Sequence, residues 1–256
     1  MRLTVLGKSP AWEDAGGACS SYLVEAGSLR LLIDCGNGAF AQLREHVDYT
    51  AIDAVLISHL HADHVLDLIP YAYALTLGPA AAAGAKLPLL CPPGSVDFFR
   101  RIVGAWGDED LIGAAFEIEE YAVASSHRLG ELAIDLHPVP HFTLTHAIAL
   151  TAPGGDRIVY GADCRSGPEL IAASRGAELL LAEATLPEPE SDSVPLAERG
   201  HMSALEAGAV ARAAGVGRLV LVHLSDELDQ AKALADAEAE FEGPVEIACP
   251  GSSWQV

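Results

Sequence analysis

The stretch Ser58-His59-Leu60-His61-Ala62-Asp63-His64 sets four metal-capable side chains within six residues, directly after the apolar run Ile52-Asp53-Ala54-Val55-Leu56-Ile57. That run has the length and β-branched content of a buried strand, and Ala62 onward reads as a helix. If residues 59 to 61 continue extended, the two-residue period of a strand turns His59 and His61 to one side. Asp63 and His64 then fall in the first helical turn and aim differently. Such a geometry suits two adjacent metal ions better than one, and three His with an Asp at this density are out of place as loop decoration.

Composition bounds what surrounds the stretch. At 256 residues, half of them hydrophobic, the chain can bury a full core. The expected organisation is a single domain of two halves, 1–114 and 115–256. No apolar run reaches the roughly 18 residues that a bilayer span needs. The opening Met1-Arg2-Leu3-Thr4-Val5-Leu6-Gly7 is too short and too strand-like for a secretory segment. Five scattered cysteines with no close pair argue against a disulfide framework or a structural zinc finger. A cytoplasmic protein with no membrane partner is expected.

The net charge is −21, from 15 basic and 36 acidic residues. Nucleic acids gain affinity from Lys/Arg stripes, and the longest such run here is Arg100-Arg101. The reading therefore excludes DNA as a partner and disfavours RNA. Taken plainly, the acidity makes a well-solvated surface.

In chain order, strands are expected over 3–6, 21–25 and 29–34, with Ala26-Gly27-Ser28 as a hairpin turn. Asp34-Cys35-Gly36-Asn37-Gly38 interrupts the pattern before a helix over 40–47. After the His-rich stretch a helix runs from Val65 to Leu77 and stops at Gly78-Pro79. Residues 80–86 read as a linker, 87–91 as a strand and 96–106 as a helix. The second half repeats the plan, with strands near 115–120, 131–139, 146–151 and 157–161. Helices over 168–174, 203–214 and 227–240 then alternate with strands over 178–181, 218–222 and 245–248. Residues 187–199, rich in Pro and Glu, are expected to form a mobile loop. Two blocks of strands, each followed by helices, imply two sheets packed face to face with helices outside.

Further ligand candidates stand where strands end. His141 follows 134–140, Asp163 follows 157–162, and His223 follows 219–222. Strand C-terminal ends are where α/β folds assemble sites. With the opening stretch they make five His and two Asp, enough to hold two divalent ions with Asp163 as a shared bridge.

Here the sequence resembles the metallo-β-lactamase superfamily of metallohydrolases. His-x-His-x-Asp-His is its signature, and His141, Asp163 and His223 follow in the family's order. Asp34-Cys35-Gly36-x-Gly38, Tyr160-Gly161-Ala162-Asp163, Leu181-Ala182-Glu183-Ala184-Thr185 and His201-Met202-Ser203-Ala204-x-Glu206-Ala207 resemble its tRNase Z and phosphodiesterase branch. The resemblance implies an α/β fold, a four-layer αββα sandwich with the site along one edge of the sheets. It implies one metal on His59, His61 and His141, a second on Asp63, His64 and His223, and Asp163 bridging both. Zn is favoured for such His/Asp ligation, and Mn or Fe would fit. It also implies that dimers are common among relatives, and the helix 66–77 is a possible homodimer contact.

In that arrangement two ions roughly 3.5–4 Å apart activate a shared water and stabilise the leaving oxygen. Asp63 would orient or deprotonate the water, and His201, oriented by Glu183, would protonate the leaving alkoxide. Two dications less Asp63, Asp163 and one hydroxide leave a local charge of about +1, which matches a small anionic substrate. Asp34 is read as orienting a ligand His, His146 as facing pocket or core, and His46 and His127 as surface residues. His137 and His146 flank His141 and compete with it for the third histidine ligand, and the family's next strand favours His141. Cys35 and Cys164 read as small buried hydrophobes.

The sequence departs from the branch at Ala162, Cys164 and Ala182, where relatives usually carry Gly, Thr and His. Only residues 142–162 separate the third His from the bridging Asp, which leaves no room for the basic arm with which tRNase Z enzymes grip tRNA. The expected activity is a dinuclear metal-dependent hydrolase, a phosphodiesterase on a small substrate such as a cyclic nucleotide. A lactonase or thioesterase with the same metals comes second. A tRNA 3′-processing endonuclease is disfavoured, and a non-catalytic metal-bound scaffold or sensor is the reading from outside enzymes.

Overall fold

Strands that are apolar on both faces cannot leave either face to water, so their sheet must be covered twice. Among residues 219–222, Val220 and Val222 join one buried cluster while Leu219 and Leu221 join another. Leu31 and Ile33 likewise face one way and Leu32 the other. The computed structural model, which describes residues 1–79, 81, 84–191 and 193–256, meets this demand with the expected four-layer αββα sandwich.

The first sheet holds Arg2–Gly7 (β1), Ser21–Ala26 (β2), Leu29–Ile33 (β3), Ala54–Leu56 (β4), Leu87–Cys91 (β5) and Phe116–Glu120 (β6). The second holds Ser125–Leu129 (β7), Leu132–Val139 (β8), Thr145–Thr151 (β9), Arg157–Tyr160 (β10), Leu179–Glu183 (β11), Leu219–Val222 (β12) and Val245–Ile247 (β13). The C-terminal Ser253–Gln255 (β14) returns to pair with β1, giving the orders β14-β1-β2-β3-β4-β5-β6 and β13-β12-β11-β10-β9-β8-β7. Each sheet is antiparallel on one side and parallel on the other: β3 to β6 run parallel, as do β10 to β13.

Leu3, Val5, Tyr22 and Leu56 meet Ile134, Ile148, Tyr160 and Leu181 in the central core between the sheets. Helices Ala39–His46 (α1), Leu68–Leu77 (α3), Ser95–Gly104 (α4) and Leu111–Ala115 (α5) cover the first sheet's outer face. Pro168–Ser174 (α6), Ala204–Ala214 (α7) and Gln230–Glu240 (α8) cover the second. Among the described residues no helix is long and apolar enough to cross a membrane.

Several expectations need correction. Helix 65–77 is two helices, Ala62–Val65 (α2) and α3. Pro70 lacks an N–H and would clash inside a continuous helix; the restart at Leu68 places it in a first turn, where it is tolerated. Asp67, freed by the break, accepts from the Phe40 N–H at 2.8 Å and holds the start of α1. The sheets divide after β6, not at 114/115, and β14 also joins the first sheet, because register with β5 and β1 decides membership. Strands β7 and β14 and helix α5 were not legible in the sequence: β7 is the polar edge run Ser-Ser-His-Arg-Leu, and the others are very short. The linker expected over 80–86 and the loop expected over 187–199 each include residues outside the described ones.

The C-terminal ends of the parallel strands share one edge of the sandwich. There the chain leaves β3 through Asp34-Cys35-Gly36, which docks on α2: Cys35 N–H donates to the His64 carbonyl at 2.8 Å, and Asp67 N–H to the Cys35 carbonyl at 3.0 Å. A Cβ on Gly36 would overlap the carbonyl oxygen of Asp63. Replacing Gly36 by Ala is therefore expected to cost about 1–3 kcal/mol through overpacking and to lower Tm by several degrees in a thermal melt. An unchanged Tm would show that α2 is not held by this contact.

Candidate metal centre

Each proposed ligand lies in a segment that follows a strand, and three residues at such strand ends adopt an uncommon backbone shape. Asp34, Ala162 and His223 have φ of 55°, 54° and 52°, the left-handed region that L-residues avoid at some cost. Gly is the residue this conformation favours, yet position 162 is Ala. The turn after β12 presents His223, the one after β10 presents Asp163, and the loop after β8 presents His141. After β4 the chain reaches His61 in an extended conformation, with φ −69° and ψ 153°, before α2 carries Asp63 and His64.

The side chains converge as two groups joined through one carboxylate. His59, His61, His141 and Asp163 form the first, and Asp63, His64, Asp163 and His223 the second, with the ligand atoms of each within 4.8 Å of one another. Asp163 Oδ2 lies 3.8 and 3.9 Å from Nε2 of His59 and His141, and 3.4 and 3.3 Å from Nε2 of His64 and His223. Asp63 Oδ2 stands 3.1 Å from His223 Nε2 and 3.5 Å from His64 Nε2. His61 turns Nδ1 to the group, 3.2 Å from His59 Nε2 and 3.1 Å from His141 Nε2.

Two buried carboxylates behind the groups set which nitrogen carries the proton in four of the rings, those of His59, His64, His201 and His223. Asp34 accepts from the Ser58 N–H at 2.7 Å, the Ser58 hydroxyl at 2.7 Å, the Tyr160 hydroxyl at 3.0 Å and His64 Nδ1 at 2.7 Å. Because Ser58 spends its proton on Asp34, its oxygen accepts from His59 Nδ1 at 3.1 Å. Glu183 repeats the scheme in the other sheet. It accepts from His201 Nδ1 at 2.9 Å, the Cys164 N–H at 2.7 Å and the Thr185 hydroxyl at 2.6 Å. Thr185 Oγ1 in turn accepts from His223 Nδ1 at 2.7 Å. His141 Nδ1 donates to the Gly200 carbonyl at 2.7 Å. Nε2 of His59, His64, His141 and His223 is thereby left as a lone pair aimed inward, the form that binds metal.

This arrangement fits divalent cations and little else. His61 Nδ1 could donate to only one of the two lone pairs beside it, so another close N···N contact has no proton to bridge it. His64 Nε2 and Asp163 Oδ1 are buried without any hydrogen-bond partner, a costly state unless a cation takes the lone pairs. Burial holds His59 well below the ordinary imidazole pKa and lowers that of His141 to about 4, so both are neutral near pH 7. Burial also opposes charge on His64, but Asp163 and Asp34 outweigh it and raise its pKa, so this point of the pocket draws positive charge. Burial alone would raise Asp63 and Asp163; the surrounding imidazoles reverse this and keep both ionised. A divalent ion can replace the proton these carboxylates attract.

The remaining residues sort clearly. His201 stacks near His223, ring centres 5.7 Å apart, and with Glu183 and His223 forms a third close group. Burial opposes its protonation, yet the Glu183 bond and charge raise its pKa. Asp34 orients His64, as expected. His146 belongs to the core: buried, it bonds the Val123 carbonyl at 2.8 Å and the Tyr121 hydroxyl at 3.3 Å. His137 lies outside both groups, and its pKa is lowered by burial. His46 is exposed, whereas His127 is half-buried beside Ser125 and Tyr121. Sequence reasoning missed Ser58, Thr185 and Tyr160 as anchors. Ser58 precedes a ligand and Thr185 lies two residues past Glu183, but only the fold shows which ring each faces.

The profile of the Beta-lactamase superfamily domain matches residues 29–224. The probable metallo-hydrolase YhfI of Bacillus subtilis is 30% identical over 256 residues, covering 100% of both chains. Its crystal structure, that of a metallo-beta-lactamase fold protein, superposes with a TM-score of 0.86 at 28% identity over 99% of this chain and 98% of that one. Ribonuclease Z of Myxococcus xanthus is 31% identical over 302 aligned positions, covering 98% of this chain and 96% of the relative.

If Ser58 and Thr185 fix the tautomers of His59 and His223, Ser58→Ala and Thr185→Val should each weaken metal retention roughly tenfold or more, measured by competition with a chelator. Retention equal to the parent would remove the hydroxyls from that role. Burial pushes the Cys19 thiol up to about 12 and raises those of Cys35, Cys91 and Cys164. These stay protonated until the pH passes their raised values, so alkylation of the native protein at pH 8 should mark only the exposed Cys249. Mass mapping of the modified residue checks this.

Proposed function

The chain is a metallo-hydrolase of the beta-lactamase superfamily, and on that premise we propose that it is a dinuclear phosphodiesterase acting on a small phosphodiester such as a cyclic nucleotide. His59, His61 and His141 would hold one ion, Asp63, His64 and His223 the other, and Asp163 both. Zn is favoured by the His/Asp donors, and Mn or Fe would fit. When bound, two divalent ions in these places supply an activated water and an electrophilic clamp on the phosphoryl oxygens.

The observation that carries the reading is the Glu183–His201 pair. Esters of phosphoric acid with alcohols leave as poor alkoxides, and they need a proton at the departing oxygen. Glu183, buried completely, accepts from His201 Nδ1 at 2.9 Å and so leaves Nε2 as the nitrogen free to donate, on a ring whose centre lies 5.7 Å from that of His223. The raised His201 pKa keeps a proton available for donation. Asp63, held ionised by its imidazole neighbours, would receive the proton of the attacking water.

Size and charge favour a small anion over RNA. The alignment with ribonuclease Z runs to 302 positions against 256 residues here, so that relative carries inserted residues this chain lacks. Between His141 and Asp163 the chain forms only the antiparallel pair β9 and β10. With a net charge of −21 and no basic run, the surface repels a polyanion while the cationic centre would attract a single phosphodiester.

Purified protein should carry close to two transition-metal ions per chain by elemental analysis. A turnover panel of cyclic nucleotides, an aryl phosphodiester, a lactone, a thioester, a β-lactam and precursor tRNA should show its highest kcat/KM on the cyclic nucleotides; preference for the lactone or thioester would sink the assignment. Asp63→Asn should lower phosphodiester hydrolysis by roughly 10²–10⁴-fold. His201→Ala should harm alkyl esters more than activated aryl esters, and equal losses on both would exclude proton donation by His201.

A further inference from the structure

Phe142 directly follows the proposed ligand His141 and is 62% exposed, yet its ring is not loose. Its centre lies 5.0 Å from that of His141, tilted by 45°, and 5.5 Å from that of His201, nearly edge-on at 68°. Beneath it is Gly200. A Cβ on that residue would fall 2.6 Å from two carbons of the Phe142 ring, so the ring rests on bare backbone. The same Gly200 carbonyl receives the His141 Nδ1 proton at 2.7 Å, which ties the segment under the ring to the ligand beside it. Among the described residues, the other strongly exposed aromatic side chains, Trp12 and Trp106, have no ring contact with a site histidine.

The result is an aromatic face that is positioned before anything binds and still open to solvent. Its neighbours define what it can meet. On one side stands a ligand of the first ion, on the other the residue proposed to protonate the leaving oxygen. A planar group attached to the substrate's alcohol would therefore come to lie over Phe142 while the phosphoryl group occupies the centre. In a nucleotide the base and its own phosphodiester are separated by one sugar, and every base has a face that stacks on an aromatic ring.

We propose that Phe142 is the stacking face for the nucleobase of a nucleotide phosphodiester, which makes base-bearing diesters the substrate class. The inference rests on the phosphodiesterase reading for its choice of ligand, but it is tested by binding. Metal-loaded protein is titrated calorimetrically with adenosine 5′-monophosphate and with ribose 5-phosphate, which share the phosphate and sugar and differ by the base. The parent protein should bind the nucleotide roughly tenfold more tightly, within the range of base–aromatic stacking.

Phe142→Leu, which keeps an apolar side chain but has no aromatic face, should bring the ratio of the two affinities close to one, and Phe142→Trp should preserve or increase it. A parent ratio near one, or a full ratio in the Leu variant, overturns the proposal; the second outcome would mark the spot as a general apolar contact suited to an acyl group. Hydrolysis of an aryl phosphodiester by the parent reports on the chemistry separately. A nucleotide preference that depends on Phe142 without any diester turnover would uphold the stacking face and reject the phosphodiesterase.

Discussion

The centre depends on two carboxylates that touch no substrate. Asp34 and Glu183 are both fully buried, at the ends of β3 and β11 in opposite sheets. Each accepts directly from one imidazole and, through a hydroxyl, sets the proton of a second: His64 and His59 for Asp34, His201 and His223 for Glu183. A histidine binds a cation only through the nitrogen that lacks a proton, so fixing the outward proton fixes the inward lone pair. The Tyr160 hydroxyl adds a bond to Asp34 from β10, which ties the two sheets together at the site.

Holding these groups there has a structural cost that falls on the backbone. The chain leaves β3, β10 and β12 through non-glycine residues with φ near 50°, two of which are Asp34 and His223 themselves. Such residues persist when surrounding contacts over-determine them. Asp34 makes its four acceptor contacts, and Gly36 lets α2 approach within backbone distance. The opposing demand comes from electrostatics: burial works against the charge on Asp63 and Asp163, and the imidazoles beside them keep both ionised. Cations between these groups would satisfy both demands, since they would take the lone pairs and balance the carboxylates.

The surroundings narrow what such a centre can process. On the proposed reading, an acidic surface and the plain β9–β10 hairpin would disfavour a long polyanion. The open ring of Phe142 beside His141 and His201 gives a small planar group a place to rest. Within one superfamily the metal-binding frame is shared, while loops at its rim select the substrate.

Local order along the chain was enough to read the elements that carry the ligands. The apolar runs over 31–33 and 219–222 mark buried strands, and His59, His61, Asp63 and His64 lie too close in sequence to be placed apart. His141, Asp163 and His223 were legible because each follows such a strand, and strand ends gather where parallel strands point the same way. What sequence could not contain is the pairing of distant polar groups. Nothing local says that Ser58 faces Asp34 while Thr185 faces His223, that β6 and β14 join the first sheet, or that Phe142 rests on Gly200. Those facts depend on register and on contacts between residues tens of positions apart, which the tertiary structure alone decides; short-range chemistry determined which atoms could bind a metal, and long-range packing determined which way each of them points.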